Sequence, residues 1–350
     1  MPANDDILSL LQEKVAQMAR EAQRGVILQP GAIGDCILTL PLAEFMKGSA
    51  ALGGVDILGH TEYIGILPGR TCIDGIRSID SADLHRLFVE RKIFDLADGD
   101  PLINFFEGYA WIVTFLGEPD SDFEQNLIYT ANCSHSAEVM TLSMKPPEGF
   151  GQHLTELYVH QFIEQSGLSL EHAPIQTGDI LIRATKADKA RGREVLREID
   201  VDLSKKLVII HPGSGGRIKC WHLDNFLAVA AALRSKGMEA VFLLGPAELE
   251  TFGSASIRDM TSAARCLRDL SLTQVLAVLS CAGAFVGNDS GITHMAAAMG
   301  VRTLAVFGPT DPAIYKPIGP AVTVFSCSPS AFAARPSASL QQKVLQVLLA

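Results

Sequence analysis

The stretch from Ala284 to Pro312, AFVGNDSGITHMAAAMGVRTLAVFGPTDP, constrains the fold more than any other part of the chain. Ala284-Phe285-Val286 is a short apolar run of the kind that makes a buried strand. The run breaks at Gly287-Asn288-Asp289-Ser290-Gly291 and resumes as good helix formers from Ile292 to Met299. Gly300 stands where a helix C-cap glycine belongs. A second strand, Arg302 to Phe307, ends in Gly308-Pro309-Thr310-Asp311-Pro312. Strand, loop, helix, strand and loop in that order make one unit of a parallel sheet.

The loop carries the chemistry. Asp289 or Ser290 can cap the helix, and the flanking glycines let backbone N–H groups point outward with no Cβ in the way. Free amides at a helix N-terminus bind anions, phosphate above all. His294 falls in the first helical turn, near enough to face the same ligand. In open α/β sheets ligands sit at the carboxyl ends of strands, where this loop and the one bearing Thr310 both lie. Taken alone, Asp-Ser-Gly is an ordinary N-cap and His294 an ordinary packed histidine; the second loop at the same sheet edge is what favours a site.

Three further segments extend the pattern. Gly25 to Gln29 reads as a strand, Pro30 to Asp35 as its exit loop, and Cys36 to Lys47 as a helix. Gly31 and Gly34 do not have the dinucleotide fingerprint spacing, so no nicotinamide site is expected. They place Asp35 at the helix N-terminus, where a capping carboxylate is the simplest role. Lys206 to Ile210 is a buried strand that exits into His211-Pro212-Gly213-Ser214-Gly215-Gly216-Arg217-Ile218-Lys219-Cys220-Trp221. Glycines, Ser214, Arg217 and Lys219 in such a loop suit a diphosphate, without the residue order of a Walker loop. A lysine there offsets leaving-group charge in a group transfer. Glu248, after the strand Ala240 to Leu244, could bind ribose or sugar hydroxyls.

The segments Gly31 to Leu42 and Asp289 to Ala298, with Phe307 to Pro312 and Lys219-Cys220-Trp221, resemble the signatures of the ADP-heptose:lipopolysaccharide heptosyltransferases, glycosyltransferase family 9. His222 stands where that family usually has proline after the tryptophan. The resemblance implies an α/β protein of GT-B fold, with two Rossmann-like parallel-sheet domains facing across a cleft. It implies an inverting glycosyltransferase, with heptose from ADP-heptose moved to a lipopolysaccharide core or related glycan. Asp35 takes the family's catalytic base position, within an acceptor-side loop of Gly31, Gly34 and Thr39. Lys219 is the second catalytic residue expected. Ser214, Gly215, Glu248, Asp289, Ser290, Gly291, His294 and Thr310 are the donor-binding set. A cradle of amides and lysine can do a metal's work, so neither cofactor nor metal is expected beyond the nucleotide-sugar substrate. Another GT-B sugar-nucleotide enzyme, with a different donor sugar or epimerase chemistry, remains open, as does a non-catalytic sugar-nucleotide binder.

Length fits two domains at 350 residues: an N-terminal helix over 1–24, an acceptor domain over 25–180, a donor domain over 181–335 and a C-terminal helix over 336–350 that crosses back onto the first domain. A linker is expected from Leu170 to Ala184. Formal charge of −10 argues against nucleic acid as a partner. Seven scattered cysteines without a CxxC pair suit reduced thiols and no zinc site. An acidic start without a following apolar core is no signal peptide, and no run is long enough to span a bilayer. A cytoplasmic monomer is therefore expected, with peripheral contact at the inner membrane face. Asp-x-Asp pairs at 98–100, 120–122 and 200–202 end no clear strand and are discounted. Phe94 to Leu96 and Asn126 to Tyr129 are expected as strands, as are Val55 to Gly59 and Ile112 to Phe115.

Overall fold

The computed structural model describes residues 23–168, 178–328, 332, 334–335 and 338–349. The helix expected over 1–24 lies, up to residue 22, outside them, as does most of the expected linker; Arg24 opens the first strand. The chain divides into two compact units. One comprises Met1–Ala32, Thr39–Gly149 and Leu154–Ile175; the other comprises Ile33–Leu38, Phe150–His153 and Gln176–Ala350.

The first unit holds a five-stranded sheet in the order β3-β2-β1-β4-β5, from β1 (Arg24–Gln29), β2 (Gly54–Gly59), β3 (Gly75–Ser78), β4 (Tyr109–Thr114) and β5 (Glu138–Thr141). The second holds β6 (Leu207–His211), β7 (Glu239–Leu244), β8 (Arg265–Arg268), β9 (Ala284–Asn288), β10 (Thr303–Phe307) and β11 (Val322–Ser326) in the order β11-β10-β9-β6-β7-β8. Every strand pair is parallel. Read from β8, the second order is that of a doubly wound dinucleotide fold, with its reversal between β6 and β9. Both sheets are thus Rossmann-like.

Helices through the first half of the chain are α1 (Ile33–Leu38), α2 (Leu40–Ser49), α3 (Thr61–Ile64), α4 (Pro101–Phe106), α5 (Asp122–Ala131) and α6 (Leu154–Ser166). In the second half they are α7 (Lys186–Glu198), α8 (Leu223–Ser235), α9 (Pro246–Thr251), α10 (Ser254–Ala263), α11 (Leu272–Leu279), α12 (Gly291–Ala298), α13 (Pro312–Tyr315) and α14 (Ala338–Leu349). Parallel strands covered on both faces must be apolar throughout. Val26, Leu28, Leu58 and Ile112 accordingly meet Leu102, Phe105, Phe106, Phe123 and Leu127 in the first core. In the second, Val208, Ile210, Phe242, Val286 and Val306 meet Phe226, Val229 and Leu233.

Four expectations are corrected. The helix expected from Cys36 to Lys47 is two helices, α1 and α2, parted at Thr39, because Pro41 has no N–H for the ladder and its ring would strike the carbonyl four residues back. Asn126 to Tyr129 is helical, inside α5, where the Ser121 side chain accepts from Glu124 N and caps the first turn. Phe94 to Leu96 is irregular chain after a short 3-10 turn over Arg91–Ile93. The C-terminal helix α14, expected on the first domain, packs in the core of the second through Val344 and Leu348.

Candidate functional site

The site is built from the carboxyl ends of β6, β7, β9 and β10. At β9 the strand closes on Asn288, and Ser290 caps α12 by accepting from Thr293 N. Thr293 Oγ1 in turn donates to Asn288 O, so the turn between strand and helix is closed from both sides. Met299 ends the helix and Gly300 follows at φ +76°, a conformation that favours glycine.

Asn288 is fully buried and holds the neighbouring loop. Its Nδ2 donates to Pro212 O at 2.7 Å and Gly213 O at 3.2 Å. Its Oδ1 accepts from Trp221 N at 2.9 Å. Both ends of the loop from Pro212 to Trp221 are therefore tied to the last residue of β9. Between them Ser214 Oγ donates to Asp289 O. Lys219 completes a 3-10 turn over Arg217–Lys219 and reaches back to the same aspartate.

Asp289 is the hub. Its Oδ2 accepts from Lys219 Nζ at 3.0 Å and from Thr310 Oγ1 at 2.8 Å. His294 Nε2 lies 3.8 Å from Oδ1, near enough for charge to act though long for a hydrogen bond. The side chains of Asp289 and His294 are 8% and 5% exposed and that of Lys219 is 37%, so the lysine is the member that reaches solvent. His294 Nδ1 is buried with no hydrogen-bond partner. Burial alone would raise the Asp289 pKa, but His294 and Lys219 outweigh it and hold the carboxyl down at about 2.

That depression ties stability to pH. The unfolded aspartate titrates near ~3.9, above its folded value, so the contribution is complete above about pH 4 and fades as pH falls toward 2. Its size is roughly 2 kcal/mol. Urea melts of the wild type and Asp289→Asn should show a stability gap at pH 7 that narrows below pH 4; a gap of constant size would refute the linkage.

Helix α1 belongs to the second unit, although its flanking residues belong to the first. It packs on α12 through two glycines. A Cβ on Gly291 would stand 1.8 Å from Ile33 Cγ2 and 3.2 Å from Gly34 N. One on Gly34 would stand 3.6 Å from both Gly291 Cα and His294 Cδ2. Asp35, half-buried in the first turn of α1, is thereby held on the helix that packs against the His294 helix. The next residue, Cys36, stays a thiol: burial, aided by the Asp35 charge, pushes it up to about 12. In the first unit, Gly31 N donates to Gln29 Oε1 at 2.9 Å and Gln29 Nε2 donates to Thr39 Oγ1 at 2.8 Å. The buried Gln29 thus spans the excursion into α1.

Glu248 is buried at the third position of α9, where its Oε2 accepts from Gly245 N at 2.8 Å. Oε1 stands 4.0 Å from His211 Nε2, and His211 Nδ1 donates to Leu243 O. A Cβ on Gly213 would lie 1.8 Å from Oε1, so only glycine fits opposite this carboxylate. Ser214, Gly215, Arg217, Glu248, Thr251 and Phe252 line a pocket of about 170 Å³ beside the loop.

The structure thus brings Ser214, Lys219, Asp289, Ser290, Gly291, His294 and Thr310 together, places Glu248 and Gly215 at the adjoining pocket, and sets Asp35 and Gly34 against α12. Gly31 and Thr39 sit on the Gln29 clasp. Asn288 and Gln29 were not singled out from sequence; a polar residue ending a buried strand is the only signal either gives. Among the described residues no three His, Cys, Asp or Glu side chains cluster as a metal-binding set.

Comparison with known proteins gives the family and the fold. A family model described as glycosyltransferase family 9 (heptosyltransferase) matches residues 136–344. Lipopolysaccharide heptosyltransferase 3 of Escherichia coli (strain K12) is 29% identical over 309 residues, covering 81% of this chain and 82% of that protein. The crystal structure of a family 9 glycosyl transferase from Veillonella parvula DSM 2008 superposes with a TM-score of 0.69 at 17% identity, covering 93% of this chain and 97% of that one. E. coli heptosyltransferase WaaC with ADP gives 0.64 at 17% identity, covering 93% and 100%.

Proposed function

The chain belongs to glycosyltransferase family 9, the heptosyltransferases, and from that premise we propose that it transfers heptose from ADP-heptose to a lipopolysaccharide core or related glycan, with inversion at the anomeric carbon. In one displacement, the acceptor oxygen bonds to that carbon as the bond to the diphosphate oxygen breaks. The electron pair leaves with ADP. Asp35 takes the acceptor's hydroxyl proton as general base. Lys219, the Ser214 hydroxyl and the amides at Ser290 and Gly291 receive the charge growing on the diphosphate. Glu248 and Gly215 hold the nucleotide side, while Asp289, His294 and Thr310 keep Lys219 aimed and contact the donor. Gly31, Gly34 and Thr39 shape the acceptor-side loop.

The observation that carries this reading is Lys219 fixed on Asp289 beside the capped N-terminus of α12, with the helix of Asp35 packed on α12. A fixed lysine and backbone amides already supply what a divalent ion would supply, and the proposed reaction uses none. Among the described residues no helix is long and apolar enough to cross a membrane. The proposed enzyme acts as a monomer on the cytoplasmic side, meeting a lipid-borne acceptor at the inner membrane face.

A thermal-shift titration tests the donor class, because a ligand that binds only the folded protein raises its apparent stability by mass action. ADP and ADP-heptose should raise Tm, and Lys219→Ala should weaken that binding about tenfold or more, the loss of one charge-assisted contact. A response confined to UDP- or GDP-sugars would remove heptose from the assignment. Product analysis with a heptose-deficient acceptor then reads transfer directly.

A further inference from the structure

At the opposite ends of the same strands lies a second cationic cleft, of about 580 Å³, between α14 and the starts of β10 and β11. Arg302 and Lys343 line it, with Thr323 and Gln346 as neutral polar groups and Val322 and Val347 as apolar wall. Lys206, just before β6, abuts it: its Nζ donates to Leu348 O at 2.9 Å, and after burial the Arg302 charge is what lowers its pKa. Three cations therefore converge at one sheet edge.

The described residues around them supply no carboxylate partner. Among the described residues neither Arg302 nor Lys343 has an ion-pair partner, nor does Lys206. Glu239, at the start of β7, is committed to Arg265 at 2.9 Å and faces Lys205 at 3.8 Å. From Pro312 to Ala350 the sequence has no Asp or Glu at all, in a chain where acids outnumber bases by 39 to 29. Like charges held together at a surface cost energy that a bound anion returns. The guanidinium of Arg302 suits a two-oxygen contact with phosphate, Lys343 supplies a point charge on a flexible stem, and Gln346 and Thr323 add neutral donors.

We propose that this cleft binds a phosphate group through Arg302 and Lys343, as a second anion site remote from the donor loops. The phosphate comes either from a small phosphorylated solute or from the headgroup of an anionic lipid. Arg302, Lys206 and the first residues of β11 lie at the amino ends of their strands, whereas Lys219 and Asp289 follow the carboxyl ends. The two sites therefore answer to different substitutions.

The test uses the full chain at matched ionic strength. Inorganic pyrophosphate is titrated by thermal shift into the wild type, Lys219→Ala and the double variant Arg302→Ala/Lys343→Ala. In a second arm the same proteins are sedimented with phosphatidylcholine vesicles with and without phosphatidylglycerol. Pyrophosphate stabilisation that survives Lys219→Ala and weakens tenfold or more in the double variant assigns a free phosphate ligand. Vesicle binding that needs phosphatidylglycerol and is lost in the double variant assigns a lipid headgroup. The double variant should keep its response to ADP, which shows that it is folded. The proposal is overturned if neither probe distinguishes wild type from the double variant, or if Lys219→Ala alone removes the response.

Discussion

Asn288→Ala should lower the melting temperature of the second unit by about 6–12 °C and cut turnover about a hundredfold. The substitution removes three hydrogen bonds at a fully buried side chain and leaves Trp221 N, Pro212 O and Gly213 O to find other partners. Leaving buried polar groups unmatched costs about 1–3 kcal/mol each when no water replaces the partner, so a net loss near 3 kcal/mol is reasonable. In a unit of this size that corresponds to roughly 2–4 °C per kcal/mol. Turnover falls for a different reason. The asparagine ties both ends of the loop that carries Lys219, and a displacement of about 1 Å in a positioning group costs ~10²-fold in rate. Asn288→Asp keeps an acceptor for Trp221 N but sets a charge against two carbonyls, so it should not rescue. Wild-type melting and wild-type kcat in Asn288→Ala would sink the loop-staple account.

Asp35→Asn should reduce kcat by roughly 10²–10⁴-fold while leaving the ADP-induced thermal shift intact, since an amide keeps the shape of the carboxylate but cannot take a proton. Asp35→Glu should recover part of the rate. The separation of rate from donor affinity matters, because α1 packs on α12 and a general disruption there would lower both. Normal turnover in Asp35→Asn with unchanged ADP affinity would show the base to be another group.

Much of the second sheet's site was legible because its signals are local. The run from Ala284 to Gly300 announces a buried strand, a cap at Asp289 or Ser290 and a terminating glycine, and the structure has β9, Ser290 and Gly300 in those roles. Strands β3, β5 and β8 escaped the sequence reading, and all three are sheet edges. An edge strand is covered less and carries charge: β8 is Arg265–Arg268 with a single buried residue. Asn126 to Tyr129 misled because a short apolar run has no period of its own, and the deciding cap at Ser121 lies outside it. Asn288 was illegible for another reason: it works on chain that only the fold brings near, residues 67 to 76 positions away, while Gln29 clasps Gly31 and Thr39 across a turn that shows no pattern in sequence.

Lys219 already has its charge answered by Asp289, 3.0 Å away, before any donor arrives. On the proposed function an incoming anion meets a lysine already paired and must compete for it with a carboxylate that Thr310 also holds. A lone inorganic phosphate has no means of doing so beyond its charge. On the same proposal a nucleoside diphosphate has, with its base and ribose toward the pocket beside Glu248 and its phosphates toward the α12 amides. On that proposal the resting ion pair between Lys219 and Asp289 works as a filter against free phosphate.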